Sequence, residues 1–434
     1  MKNFKLALHH IVFLFALICG STLIYFLNQF DMKTKGYVKP EKLIITAPNV
    51  ISQQDKLTKE ELDWARVSWI YFENNYNPNT GLVNSIDKYP STTMWDTGNY
   101  IMALISAYKL NIISENKFDT RLNKILTTLA NIKLYKNKLP NKVYNTQSLK
   151  MTDYKNNPSV DGLGWSAIDI ARLLSPLYFI NTNYPKYGKK IGTILAKWKL
   201  KYIRKRGRLQ GAYNDNGVEL LTQEGRLGYE QYSANIFALF AIGLHNSMRY
   251  NRYLGFTKIY DVEIPYDIRD KALYNANNYV VMEPYILDGL ELGWNYYSKE
   301  FSYRLYKAQE KRYEKTKILT AVTEDNIDKE PYFLYNSIYV NKKEWVSIDE
   351  KGKEYNDLKV LSTKASFGMY ALYNTPYTKK LINKVKSLQS DRGWYAGYYE
   401  KDWSINKAIS CNTNALILEA LLYKVEGALL KIKN

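Results

Sequence analysis

Thr92–Leu110 reads TTMWDTGNYIMALISAYKL, and this stretch decides the fold. Trp95-Asp96-Thr97-Gly98-Asn99 sets an aromatic ring and a carboxylate just before Tyr100–Leu110, a run whose apolar residues recur at helical spacing. The pattern returns along the chain. Cys411-Asn412-Thr413-Asn414 leads into Ala420-Leu421, Glu230–Asn235 into Ala238-Leu239, and Lys364-Ala365-Ser366-Phe367 into Ala371-Leu372. Gly164-Trp165-Ser166 before Asp169, and Glu283-Pro284 before Leu287-Asp288-Gly289, are looser copies. The six starts lie roughly 50 to 80 residues apart, room for two helices with loops. Six helical hairpins predict an all-α (α/α)6 toroid over residues 59–434, with the inner helix starts lining one funnel. A single strand pair is expected, Phe333–Val340 with Glu344–Ile348.

Outside this body, Lys2 and Lys5 precede the apolar run Ile11–Leu27. Basic then apolar residues over about 17 positions predict a transmembrane or signal-anchor helix within residues 1–30. The body would then stand on the periplasmic, extracytoplasmic side of an inner membrane; a cleaved signal peptide and a secreted body is the alternative. Residues 31–58 are polar, hold scattered prolines and read as a linker.

Composition narrows the function. The chain holds 40 Tyr among its 434 residues, and aromatics reach 15%. Tyr and Trp pair an apolar face with a polar tip, which suits sugar rings. The net charge of +19 is spread along the chain, and its densest run, Lys197–Arg208, reads as a solvated face without any nucleic-acid-binding motif. No nucleic acid partner is expected. Three His, and two Cys of which Cys19 sits in the apolar run, give no metal-ligand spacing and no disulfide framework. Phosphate-cradling, dinucleotide and nucleophile-elbow motifs are missing, so no cofactor and no Ser-His-Asp chemistry is expected.

Glycosidic hydrolysis needs two carboxyl groups, one to protonate the leaving oxygen and one to activate water or attack the sugar. The candidates are acids at the helix starts. Asp96 reads as catalytic, and equally as an N-cap whose position favours the ionised form. Glu230, and Glu324 in the loop Thr323–Asp328, complete the catalytic set; Arg226, between Glu224 and Glu230, is placed to pair with either acid. Asp169, Glu283 and Asn412 are expected to bind substrate, with Trp95, Trp165, Tyr332, Trp394 and Tyr399 as stacking rings.

The same stretches carry a family likeness. Gly81–Leu110, Gly164–Leu174, Glu283–Gly293, Pro331–Asn336, Ser362–Leu372 and Gly397–Leu422 resemble a bacterial family catalogued as domain of unknown function 3131. The resemblance implies a toroid similar to helical glycoside hydrolases and a link to envelope or exopolysaccharide systems; it implies no assigned catalytic residues. The expectation is therefore a glycoside hydrolase-like enzyme whose partner is an extracytoplasmic polysaccharide or oligosaccharide. A non-catalytic glycan-binding or assembly component, and a lyase on an acidic glycan with a Tyr base beside Arg226 or Lys364, are the alternatives.

Overall fold

The computed structural model describes residues 20–22, 43–49 and 54–430. The chain forms two compact units, residues 1–44 with 251–253 and residues 45–250 with 254–434. The described pieces of the first are short. The expected anchor at 1–30 thus lies almost wholly outside the described residues, and among the described residues no helix is long and apolar enough to cross a membrane.

The second unit holds the helical body. Apart from a single turn at Lys271–Tyr274, its helices are α1 (Lys59–Asn74), α2 (Met94–Lys109), α3 (Glu115–Asn131), α4 (Ala167–Asn183), α5 (Gly188–Lys197) and α6 (Tyr229–Leu239). There follow α7 (Glu283–Leu287, continued by a wider turn at Asp288–Leu292), α8 (Tyr296–Thr316), α9 (Thr363–Tyr373), α10 (Pro376–Val385) and α11 (Cys411–Glu426). Helices α2, α4, α6, α7, α9 and α11 each pack on the next, and α11 returns to α2, so six helices close a ring. Outside it, α1 packs on α11 and α2, α3 on α2, α5 on α4, α8 on α7 and α10 on α9.

The pattern of apolar residues sets this inside–outside order. In α2 every residue from Thr97 to Ala107 is buried, as a helix covered on all sides must be. In α5 only Ile191 and Ile194 are buried, one stripe facing inward. Thr93, Ser166, Ser362 and Ser410 cap α2, α4, α9 and α11 by accepting an N–H three residues on, which fixes where these inner helices begin. Gly98 lets α2 approach α4 closely: a Cβ there would lie 2.8 Å from the Arg172 carbonyl.

Two expectations need correction. The body is not purely helical, for seven small sheets accompany the ring among the described residues. The expected hairpin is present, with Phe333–Val340 pairing Lys343–Ile348 and Glu324–Asn326 adding a third strand. Unforeseen hairpins join Arg208–Asp215 to Val218–Gln223 and Leu254–Ile259 to Val262–Asp267. The first turns at Asn216-Gly217, both left-handed at φ 48° and 89°, the geometry a two-residue hairpin loop demands. The second hairpin stands where an outer helix between α6 and α7 would belong. The linker expected at 31–58 is fastened to the body in its described part. Thr46 N, Thr46 Oγ1 and Ala47 N all donate to the Glu300 carboxylate at 2.8 Å, and Asp55 N donates to Lys424 O at 2.8 Å.

A buried ion cluster joins the inner helices. From α4, Arg172 donates through Nε to Asn99 of α2 at 2.7 Å, through Nη2 to Glu419 of α11 at 2.9 Å, and through Nη1 to Glu291 beyond α7. Glu291 also accepts from Tyr232 of α6 at 2.9 Å and from Ser175. Arg172 and Glu291 are both wholly buried. Removing one member leaves uncompensated buried charge, so Arg172→Met is expected to cost about 3–5 kcal/mol of stability by chemical denaturation.

Burial raises the pKa of Glu419 and Glu291, although Arg172 pulls both down. Two carboxyls therefore share one guanidinium and hold a proton. A carboxyl with a raised folded pKa binds its proton more tightly in the folded protein. Its stabilisation is complete below the ordinary carboxylate range and is lost as pH rises through the raised value. The melting temperature is expected to fall between about pH 5 and 8, and Glu419→Gln, neutral throughout, to flatten that slope. An unchanged slope in the variant would place the proton elsewhere.

Candidate active site

The starts of the inner helices meet at one end of the ring. The Trp95 ring of α2 meets Tyr229 of α6 edge-on with centroids 5.6 Å apart. Cys411 Sγ of α11 donates to Asp96 O of α2 at 3.4 Å. Asn412 Nδ2 donates to Glu283 Oε1 of α7 at 2.9 Å, and Lys364 of α9 pairs with the other oxygen. Glu224, just after the strand Val218–Gln223, accepts from Ala167 N at the start of α4 at 2.5 Å. One carboxylate-rich floor thus draws on all six inner helices.

Two groups of acids share this floor. Asp96, Asp169 and Glu224 keep some contact with solvent while densely surrounded by protein, the condition of groups lining a deep concavity. Asp96 is not the N-cap. Thr93 caps α2, and Asp96 in its first turn accepts from Ser85 Oγ at 2.5 Å, Thr93 Oγ1 at 2.9 Å and Asn99 Nδ2 at 3.3 Å. Burial outweighs these donors and raises its pKa, opposite to the shift expected of a capping carboxylate. Asp169 sits likewise in the first turn of α4, with Ser166 Oγ accepting its N–H at 3.1 Å. Burial, then the charge of Glu224, pushes Asp169 up to about 7. Burial raises Glu224 too, opposed by Lys142 and by the donors at the start of α4.

The second group is fully buried. Glu283, Glu324 and Asp325 surround Lys364. Burial alone would lower Lys364, but the three carboxylates outweigh it and raise its pKa. Glu324 is anchored by Thr323 Oγ1 at 2.7 Å, and Ser362 Oγ donates to Asp325 at 2.9 Å.

Of the residues singled out in the sequence, this floor gathers Trp95, Asp96, Asp169, Glu283, Glu324 and Asn412. It leaves out Glu230, which pairs with Arg269 at 2.6 Å and accepts from Ser247 at 2.6 Å. Arg226, expected to pair with an acid, instead donates to Gln223 Oε1 at 3.0 Å and to backbone carbonyls. Trp165 and Trp394 have no exposed surface, and their ring nitrogens bond to Gln210 O at 3.0 Å and Trp64 O at 3.1 Å. They are core rings and present no face to a sugar. Tyr399 is buried with its hydroxyl on Asp328 at 2.5 Å, and Tyr332 is exposed on a turn with nothing tying it to the acids. Glu224 was legible only as a partner for Arg226. Tyr279 and Tyr335, stacked with centroids 3.9 Å apart, were missed altogether, because neither begins a helix. An open groove of about 750 Å³ beside α3, lined by Tyr76, Lys117, Arg121 and Thr127 among others, holds no carboxylate and offers no hydrolytic pair.

Residues 63–427 match the model of a family described as a protein of unknown function, DUF3131. The chain belongs to this family. No curated protein matches it. Among solved structures, the chain is similar to a candidate glucoamylase from Bacteroides uniformis ATCC 8492, at TM-score 0.62 and 11% identity over 87% of this chain and 94% of that one. It is also similar to an endo-β-1,2-glucanase from Chitinophaga pinensis, in complex with sophorotriose and glucose, at TM-score 0.60 and 14% identity over 86% and 94%. A third is the endo-β-1,2-glucanase from Talaromyces funiculosus with sophorose, at TM-score 0.58 and 10% identity over 86% and 85%. At such identities the likeness shows a shared helical toroid fold.

If Glu224 helps hold the proton on Asp169, removing its charge must release it. Glu224→Gln is expected to lower the Asp169 midpoint from about 7 toward the ordinary aspartate range, read by carboxyl carbon NMR titration.

Proposed function

We propose that this protein is a glycoside hydrolase-like enzyme acting on an extracytoplasmic polysaccharide or glucan. The observation that carries the reading is Asp169, a carboxyl raised to about 7 by burial and by a neighbouring acid, on a floor it shares with Asp96 and Glu224. A carboxylic acid with that pKa keeps its proton near neutral pH and can donate it. Asp169 is the general acid: its proton passes to the glycosidic oxygen as the bond to the sugar carbon breaks. Asp96 or Glu224 takes a proton from the water that adds to that carbon. Lys364, buried among Glu283, Glu324 and Asp325, holds the rest of the floor in place, and Trp95 offers a half-buried ring beside it. The toroid shared with solved endo-β-1,2-glucanases supports a glucan as the first substrate to try. The extracytoplasmic setting rests on the basic-then-apolar N-terminus, which would also tether the protein to a membrane.

Elimination from an acidic sugar fits less well. A lyase needs a cation for the uronate carboxylate and a phenol or other base poised to ionise. Tyr279 does stand near Arg226, yet burial raises its pKa and Glu224 and Glu350 add to the rise. The acids of the floor also outnumber Lys364, Lys142 and Arg226.

The test is incubation of the full chain with β-1,2-glucan, other glucans and bacterial exopolysaccharides, scored for new reducing ends. Cleavage is expected, with an alkaline limb near pH 7 and a loss of about 100-fold or more in Asp169→Asn. Binding of a glycan without cleavage of any would favour a non-catalytic binding or assembly role. Ultraviolet-absorbing unsaturated products would favour the lyase.

A further inference from the structure

The strand Phe333–Val340 lies between Glu324–Asn326 and Lys343–Ile348. In this sheet Tyr335 is the direct cross-strand partner of Glu324. Directly opposed residues of an antiparallel pair project to the same face, so the Tyr335 side chain accompanies the Glu324 carboxylate. Tyr279 stacks on Tyr335 with centroids 3.9 Å apart and planes 14° from parallel. Both rings rest on the apolar cluster of Val340, Val346 and Ile348, and both stay partly exposed. The sheet core thus supports a face-to-face pair of rings at the margin of the acidic floor, each covering one face of the other. Burial is the main cause raising both phenols, with Glu224 contributing at Tyr279 and Glu324 at Tyr335. The hydroxyls therefore lie within electrostatic reach of both groups of acids.

Face-to-face rings also occur in the core, as at Tyr306 and Tyr373, 4.3 Å apart and both buried. The Tyr279–Tyr335 pair differs in staying partly open beside carboxylates, with its phenols hydrogen-bonded to each other. A pyranose supplies what is missing: an apolar C–H face for the rings and hydroxyls for the phenol oxygens and carboxylates. The same floor selects among sugars. Asp96, Glu224, Glu283 and Glu324 still outnumber Lys364, Lys142 and Arg226 with Asp169 and Asp325 holding their protons, and a uronate would be repelled.

We infer that the stacked Tyr279–Tyr335 pair is a sugar-binding platform beside the carboxylate floor, selective for a neutral hexose unit of a glycan over a uronic acid. The inference rests on the glycan-acting reading above and adds the subsite and the charge class of its ligand.

The test is isothermal titration of the full chain, carrying Asp169→Asn so that no sugar is consumed. The probes are sophorotriose, cellotriose, maltotriose and trigalacturonic acid. Tyr335→Ala and the bulkier Tyr279→Leu are compared on the same background, with thermal melts establishing that each is folded. At least one neutral trisaccharide is expected to bind more tightly than the uronate, and both variants to weaken it by about tenfold or more. Tighter binding of trigalacturonic acid, binding of no probe, or unchanged affinity in folded variants overturns the platform. Its failure is separable from that of the hydrolase reading. If the variants lose binding but the unmutated chain cleaves no glycan, the platform stands and the hydrolase falls. If cleavage proceeds with KM unchanged in both tyrosine variants, the hydrolase stands and the platform falls.

Discussion

One guanidinium ties the ring together. Arg172 reaches Asn99, Glu291 and Glu419 from α4, and Glu291 takes Tyr232 and Ser175, so five of the six inner helices meet through a single wholly buried cluster. Apolar packing alone would hold the helices at some rotation and height; directional bonds to one planar fork specify which. The sixth helix, α9, is joined differently. Lys364 at its start pairs with Glu283 of α7, which in turn accepts from Asn412 of α11. The ring is thus clasped twice, once in its interior and once at its mouth, and both clasps are buried charge.

The two clasps are not independent of the site. Arg172 lies 5.8 Å from the Trp95 ring centroid, and Trp95 neighbours Asp96 in the chain. Glu283 and Lys364 are part of the carboxylate floor itself. Buried ion pairs are costly to form and contribute little net stability. Here they do something apolar residues could not. They keep a crowd of carboxylates close together with some protonated and some ionised, which is the condition acid–base chemistry needs. Asp169, raised to about 7 by burial first and by the charge of Glu224 second, is the clearest example.

How much of this could be read in advance follows from where each signal resides. The inner helices begin at Met94, Ala167, Tyr229, Glu283, Thr363 and Cys411, the six places where the sequence repeats its aromatic-and-polar opening. That was legible because a helix start is a local event, written in a cap residue and a change of period. Asp96, Asp169, Glu283 and Asn412 came along because they occupy those starts. Side-chain commitment was not legible. Trp165 lies just before α4 and Trp394 in the short strand Gly393–Trp394 ahead of α11, and both are wholly buried, with Gln210 and Trp64 offering carbonyls to their ring nitrogens across 45 and 330 residues of chain. Tyr279 and Tyr335 become neighbours only through strand pairing, which no local pattern announces. The Asn216-Gly217 turn was a readable hairpin signal that the helical period overshadowed.

The displacement of Glu230 from the site has a structural logic. Between α6 and α7 the repeat lacks its long outer helix, and the hairpin Leu254–Asp267 stands in its place. A hairpin cannot bury a long apolar stripe against the ring as a helix would, so polar bonds must fasten it. Asp267, its last residue, accepts from Leu227 N at 3.0 Å and from Arg269, while its carbonyl accepts from Asn278 at 2.6 Å. Arg269 then needs a further carboxylate, and Glu230 at the start of α6 supplies it. The acid that a regular repeat would present at the mouth is consumed in holding the irregular one. Glu224 arrives from the neighbouring hairpin, six residues upstream, and by accepting the Ala167 N–H places a carboxylate against Asp169. The missing outer helix, the lost acid and the substitute acid are one compensation, and the charge that raises Asp169 comes from it.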